Sequence, residues 1–413
     1  MKTLLKVFYT AGPGNAFEAF REWKSGRRDL IGSHVAYSRQ MFETCASHGA
    51  RARISCTHPG GEEDSYEGIS IVPRADPSRG KSGLRFHFSL YQKARQNIED
   101  AIDFGANVVV IAEDTNPAHY TSLRRRGVHV IQALHTRLWR EDRRPSFMQR
   151  RRLRDFARVY AAGDMPVLSA SDVISAQVEA LSGGRGSPIV EFLPLYYPEH
   201  YSGLPEPAWQ AQVLNIIFIG RIEANKGVFD LIAIAQQLKV AGLAFRIHIC
   251  GVGAALTDLM REIALHGLSN DITCHGWCNR DDLRRVMSHC HVAVVPTRGD
   301  FTEGFNHVVV EAILAGRPAV ASSICPAVGY MGDAVKVVQA NDVAGYVKVL
   351  AEFARDRTTL RRHADACSAA GQRFTETSYS FGAALNNVFS AIKSGTPVVN
   401  RRIPTQGGDV LSQ

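Results

Sequence analysis

Residues 213–250 read VLNIIFIGRIEANKGVFDLIAIAQQLKVAGLAFRIHIC. The run 213–219 is short, apolar and rich in β-branched side chains, as a fully buried strand is. A glycine and a polar loop follow. Then comes an apolar stretch of helix length, 228–238, and after Gly242 a second strand-like run, 245–250. Strand, crossover helix and strand in this order predict parallel pairing, with the helix packed on one face of the sheet.

The same alternation continues outward. Toward the C-terminus the pattern predicts a helix at 256–265, strands at 272–275 and 291–295, a helix at 306–314 ending before Gly316, a strand at 319–322, and helices at 343–353 and 381–392. Toward the N-terminus, Pro194, Pro198, Pro205 and Pro207 mark an interdomain linker. Before it, strands are predicted at 4–9, 51–56, 107–112 and 128–134, with helices at 33–47 and 84–104. The expected fold is α/β, with two Rossmann-like doubly wound parallel-sheet domains facing across a cleft. The expected division is 1–200, 201–375, a C-terminal helix at 376–393 packing back on the first domain, and a disordered tail at 394–413.

With 413 residues, 45% of them hydrophobic and 21% charged, the chain can bury two cores, which excludes general disorder. Its longest apolar runs are strand-sized, far short of the ~20 residues a bilayer span needs. Lys6 interrupts the apolar start and no small-residue cleavage site follows, so no signal peptide is read and the expected compartment is the cytoplasm. None of the eight cysteines forms a C-x-x-C pair, and Cys274, His275 and Cys278 lack a second ligand pair, so reduced thiols and no metal are expected. The net charge of +8 is concentrated in the first half. Nine arginines lie between Arg137 and Arg158, against Glu141, Asp142 and Asp155. A solvated helix face, an anionic membrane surface, a phosphorylated acceptor and a nucleic acid are the readings of that stretch.

Ligands of open α/β sheets bind beyond the carboxyl ends of the strands, so the loops carry the chemistry. After strand 213–219 come Gly220, Arg221 and Lys226. Two cations between a strand end and a helix start suit a diphosphate, although a pair of surface cations would read the same way. After strand 291–295 come Glu303, Gly304, Phe305 and Asn306, and then Glu311. Carboxylates accept well from vicinal hydroxyls, and backbone N–H groups at the helix start can take an anion or a sugar oxygen. The alternative is an ordinary amphipathic helix with two solvated glutamates.

The pieces FIGRIEANKGVFDLI, RIHICGVG, ITCHGWCNRDDLRRVMSHCHVAVVPT and EGFNHVVVEAILAGRPAVAS stand in the order and spacing of glycosyltransferase family 4, and the chain resembles that family over residues 213–325. The combination of G-R-x4-K-G with E-x7-E carries the resemblance. It implies a retaining GT-B enzyme that uses a nucleotide-diphosphate sugar as donor substrate, with no cofactor and no metal. Arg221 and Lys226 would hold the donor diphosphate. Glu303 would meet the transferred sugar and Glu311 the ribose. Gly220, Gly304, Phe305 and Asn306 would cradle the donor, and Trp277 would lie near the nucleobase.

The first half resembles the family less. His135, at the end of strand 128–134, matches a histidine that family members place against the donor sugar and phosphate. The usual double glycine before the first helix is replaced by Asp29, Leu30, Ile31 and Gly32. Gly12 and Gly14, after the first strand, are the substitute candidates for a phosphate contact. Glu113, Asp114 and Asn116 are candidate acceptor contacts, against a helix-capping role.

The expected function is transfer of a sugar to a glycan or lipid-linked acceptor in polysaccharide or glycoconjugate assembly, at the inner face of the membrane if the helix 146–158, with Phe147, Leu153 and Phe156 as one apolar stripe, meets anionic headgroups through Arg150, Arg151, Arg152, Arg154 and Arg158. Nucleic acid is not favoured as a partner. The rivals are a sugar-nucleotide epimerase or hydrolase of the same fold, and a basic non-catalytic binding protein on that fold.

Overall fold

The computed structural model describes residues 4–12, 15–27, 37–58, 61–112, 115–140, 142–184 and 186–406. Two compact units emerge. The first comprises Met1–Trp139, Arg143–Leu195 and Thr377–Ile403, and the second Arg140–Asp142, Tyr196–Glu376 and Pro404–Gln413.

Unit 1 is built on eight strands: β1 Lys6–Thr10, β2 Arg51–Thr57, β3 Asp64–Tyr66, β4 Ile69–Arg74, β5 Val108–Ile111, β6 His129–Leu134, β7 Val167–Ser169 and β8 Ile189–Glu191. Their order is β3-β4-β2-β1-β5-β6-β7-β8, and every pairing is parallel except β3 with β4. Central β5 is buried along its whole length, as a strand covered on both faces must be. The β3–β4 hairpin has no counterpart in the periodicity argument. It turns at Glu67 and Gly68, both at positive φ, in the tight form that matches strand twist. The strand order reverses between β1 and β5, which puts Gly12, just after β1, beside the switch point.

The chain returns to unit 1 at its end. Helix Phe381–Ser394 is capped by Ser380, whose hydroxyl accepts from the Ala383 N–H at 3.1 Å. Phe381, Leu385, Val388 and Phe389 are fully buried in the unit 1 core. The Gly382 N–H donates to Gln40 Oε1 at 2.8 Å, tying this helix to helix Tyr37–Ser47. Of the tail expected to be disordered, the part beyond residue 406 lies outside the described residues, and residues 394–406 are ordered. The reason is buried Glu191, which accepts from the Arg402 guanidinium at 2.6 Å and from the Ile403 N–H at 2.6 Å. A carboxylate 2% exposed needs such partners, and the tail supplies them.

Helix Phe147–Ala161 forms as its arginine-rich sequence predicts and opens with a capping box of Ser146 and Gln149. Its expected stripe is not one face. Phe156 is buried beside Val159 and Tyr160, whose hydroxyl donates to Gln132 at 2.9 Å, whereas Phe147 is 69% exposed. The core takes the C-terminal end of the stripe, and solvent meets the other.

Unit 2 has six strands, all parallel: β9 Leu214–Ile219, β10 Phe245–Cys250, β11 Ile272–Gly276, β12 Val292–Val295, β13 Ala319–Ser322 and β14 Val335–Val338, in the order β11-β10-β9-β12-β13-β14. The chain winds outward from β9 to β11 and then returns to the other side of β9. The switch point therefore lies between β9 and β12. The loops that follow these two strands are 220–227 and 296–306, the segments carrying the charged motifs. Among the described residues no helix is long and apolar enough to cross a membrane.

Candidate functional site

The loop after β9 begins at Gly220, whose N–H donates to the Cys250 carbonyl at 3.0 Å. A single short turn, Ala224–Lys226, then ends at Gly227, which has φ +75°. A Cβ at Gly227 would also run into the Pro296 carbonyl. The last glycine of the G-R-x4-K-G pattern thus lets the two switch-point loops touch. They are joined again where the Arg298 N–H donates to the Asn225 carbonyl at 2.9 Å, and where the Arg298 guanidinium pairs with Asp230 at 2.6 Å. Asp230 sits high for a carboxyl, chiefly through burial, with Arg298 pulling the other way.

This docking brings Lys226 and Glu303 together. The Lys226 ammonium donates to Glu303 Oε2 at 2.7 Å, and the two side chains are only 17% and 11% exposed. The same ammonium lies 3.7 Å from the centroid of the Phe301 ring, and the Arg221 guanidinium lies 5.9 Å from it. Arg221 is otherwise exposed and pairs with Glu223 at 2.8 Å. Both cations are held at the mouth of the switch point, beside one aromatic ring.

Glu303 is anchored from its other side. Asn306 Nδ2 donates to the same carboxylate oxygen at 3.1 Å. Asn306 takes φ +77°, a conformation asparagine tolerates better than most side chains, and it heads helix His307–Leu314. Gly304, Phe305 and Asn306 are buried, and among the described residues nothing accepts from their backbone N–H groups. Three such donors at a helix start can hold an anion or sugar oxygens. Phe305 is fixed by ring packing on Tyr330 and Phe374, with centroids 5.7 and 5.9 Å away.

Glu311 lies on the same helix and is 4% exposed, so it is not a solvated surface glutamate. Its carboxylate is close enough to Tyr201 to add to the upward shift of that phenol, most of which comes from burial. Trp277, just after β11, is 64% exposed. The sequence singled out neither Phe301, Tyr201 nor Arg298. Phe301 sits in an aperiodic loop and Tyr201 in the proline-rich segment, so neither gives a pattern.

Unit 1 holds the remaining candidates. His135 follows β6 in an aromatic cluster, with ring centroids 4.5 Å from Tyr37, 5.3 Å from Phe192 and 5.8 Å from Phe381. Gly12 follows β1 with only an ordinary 3.8 Å approach to Ala112 from a would-be Cβ, so no close contact demands a glycine there. Gly14, Gly32, Glu113 and Asp114 lie outside the described residues. Asn116 is a cap: its Oδ1 accepts from the Ala118 N–H at 3.1 Å and its Nδ2 donates to Asp155 at 3.0 Å.

Residues 206–373 match the family described as glycosyl transferases group 1. A putative colanic acid biosynthesis glycosyltransferase, WcaL, of Salmonella typhimurium (strain LT2) is 30% identical over 154 residues, covering 36% of this chain and 38% of that protein. The chain thus spans well under half the length of this curated relative. Among solved structures, sucrose-phosphate synthase from Thermosynechococcus elongatus superposes with a TM-score of 0.71 at 13% identity, over 95% of this chain and 100% of that one. Anabaena Alr3699/HepE, in complex with UDP, superposes with a TM-score of 0.63 at 15% identity, over 95% and 100%. The two parallel-sheet units have the GT-B fold.

Proposed function

We propose that the protein is a retaining glycosyltransferase of family 4, moving a sugar from a nucleoside-diphosphate sugar to a glycan or lipid-linked acceptor in polysaccharide or glycoconjugate assembly. The observation that carries the reading is the arrangement at the unit 2 switch point. Lys226 is paired with Glu303 at 2.7 Å, and Arg221 shares the Phe301 ring with it. The similarity of residues 206–373 to glycosyl transferases group 1 supports it independently.

Departure of a nucleoside diphosphate places negative charge on its phosphates, and fixed cations at that point lower the barrier. Lys226 and Arg221 would carry that charge. The N–H groups of Gly304, Phe305 and Asn306 would hold the sugar and distal phosphate. Glu303, oriented by Asn306, would accept from sugar hydroxyls, and Glu311 would bind the ribose. Trp277 would border the nucleobase. Retention would follow from front-face displacement through an oxocarbenium-like state, with no protein nucleophile. By the resemblance His135 would meet the donor sugar, and Gly12, which follows β1, would take the phosphate contact in place of the family's double glycine. No metal is required, because side-chain cations neutralise the diphosphate.

The test is a donor panel of UDP-, GDP- and ADP-glucose incubated with and without glycan acceptors, read by product mass. Acceptor-dependent consumption supports transfer. Turnover independent of any acceptor would point instead to a hydrolase or epimerase. The reading also includes work at the inner face of a membrane, reached through the arginine-rich part of unit 1.

A further inference from the structure

Large apolar side chains gather at the surface of unit 1 in one place. Helix Gly83–Phe104 exposes Leu84 (78%), Phe88 (61%) and Tyr91 (50%). These stand at i, i+4 and i+7 and so share a face. Helix Phe147–Ala161 exposes Phe147 and, beside it, Met148. The two helices border one cavity of about 240 Å³, which Tyr91 and Met148 line together with His87, Arg151 and Arg152. Large apolar side chains exposed on two helices that border one cavity are a candidate binding surface.

The charge around it is mostly positive. Arg85 stands next to Leu84, and Arg150, Arg151 and Arg154 follow Phe147 and Met148. Among the described residues none of these four guanidinium groups has a carboxylate partner. The carboxylate of the second helix, Asp155, is taken by Asn116 at 3.0 Å and Arg158 at 3.7 Å. Arginines interleaved with phenylalanine and leucine match the boundary of a bilayer, where guanidinium groups reach phosphates while apolar side chains enter the acyl edge. A nucleic acid backbone would use the arginines and leave Leu84, Phe88 and Phe147 in water.

We propose that this two-helix face docks the protein on an anionic lipid bilayer. Leu84, Phe88 and Phe147 enter the headgroup boundary, and Arg85, Arg150, Arg151 and Arg154 meet lipid phosphates. The proposal deepens the membrane-side part of the reading above and rests on that part alone, since donor binding in unit 2 does not require it.

Sedimentation with vesicles tests it, using phosphatidylcholine alone and phosphatidylcholine mixed with phosphatidylglycerol. Wild type is expected to pellet with the mixed vesicles at low salt and to be released at high salt. The triple variant Arg150→Gln/Arg151→Gln/Arg154→Gln should partition about 10- to 100-fold more weakly. The triple variant Leu84→Ser/Phe88→Ser/Phe147→Ser should also stay in solution, whereas Val240→Ser, at an exposed site in unit 2, should behave as wild type. Thermal melts check that each variant is folded, and UDP titration of the same samples reads the donor site separately. Wild type remaining in the supernatant with mixed vesicles at low salt overturns the proposal, whatever UDP does. So does wild-type binding by either triple variant. Failure of UDP binding alongside normal vesicle binding would strike the donor reading only.

Discussion

The Lys226–Glu303 pair sets the character of the proposed donor site at the scale of single residues. Its side chains are mostly withdrawn from water, so stripping one partner leaves a poorly solvated charge, a loss of order 3–5 kcal/mol when nothing replaces it. A diphosphate can replace Glu303 as the partner of Lys226. Glu303→Gln is therefore expected to leave affinity for a free nucleoside diphosphate equal or higher while slowing sugar transfer. Glu311→Ala is expected to weaken both the free nucleotide and the donor. Calorimetry with the free nucleotide separates the two, and equal losses in both variants would contradict the division of labour. Lys226→Ala and Arg221→Ala should each slow transfer about 10²- to 10³-fold. Near wild-type turnover in both, in folded protein, would remove them from the chemistry. The residue types of this site were legible in the sequence, because strand–loop–helix spacing exposes charges at a sheet's carboxyl edge. Their pairing was not, since Lys226 and Glu303 are 77 residues apart and meet only through the docking of two loops.

That docking is decided among the elements. Gly227 must hold positive φ and let the Pro296 carbonyl approach, whereas Gly242 has φ +67° and open space around its would-be Cβ. Gly242→Ala should cost about 1–2 kcal/mol, the price of the left-handed conformation. Gly227→Ala should cost more than that and should weaken nucleotide binding, because loop 296–306 is pushed away. Equal melting-temperature losses in the two variants would show that the close approach does not matter. A second element-level effect comes from the sheet edge, where His248 on β10 and His275 on β11 hydrogen-bond at 3.1 Å. Burial first, and then His275, pull the His248 imidazole down to about 4. An unfolded histidine titrates near 6.5, so the unfolded chain takes the proton first as the pH falls. Stability should therefore drop on acidification from about pH 6.5 toward pH 4. Thermal melts across this range should show a shallower decline for His248→Asn, and parallel profiles would contradict the assignment. Elements with strong periodicity were readable in advance, among them helix Leu256–Leu265 and strand Phe245–Cys250. The β3–β4 hairpin was not: the three exposed or half-buried residues of β3 carry no hydrophobic alternation, and the short alternation of β4, with Ile69 and Ile71 buried, was overlooked.

On the scale of the whole molecule, the chain builds unit 1, then unit 2, and returns to finish unit 1. The returning helix contributes four large, fully buried apolar side chains, Phe381, Leu385, Val388 and Phe389, together worth about 6–12 kcal/mol of burial, comparable with the entire stability of a domain. Truncation after Glu376 is expected to abolish the cooperative melting of unit 1, and a truncated chain that melts as the full one does would contradict this. The returning helix was legible from its apolar pattern. The ordered residues beyond it were not, because Arg402 is held by Glu191, which lies 211 positions earlier. The central claim, that the unit 2 switch point binds a nucleoside-diphosphate sugar, is tested most directly by calorimetric titration of UDP, GDP and ADP into wild type and Lys226→Ala. The account predicts that at least one of them binds wild type with one-to-one stoichiometry and binds Lys226→Ala at least about tenfold more weakly. Wild type that binds none of the three, or a Lys226→Ala variant with unchanged affinity, would contradict it.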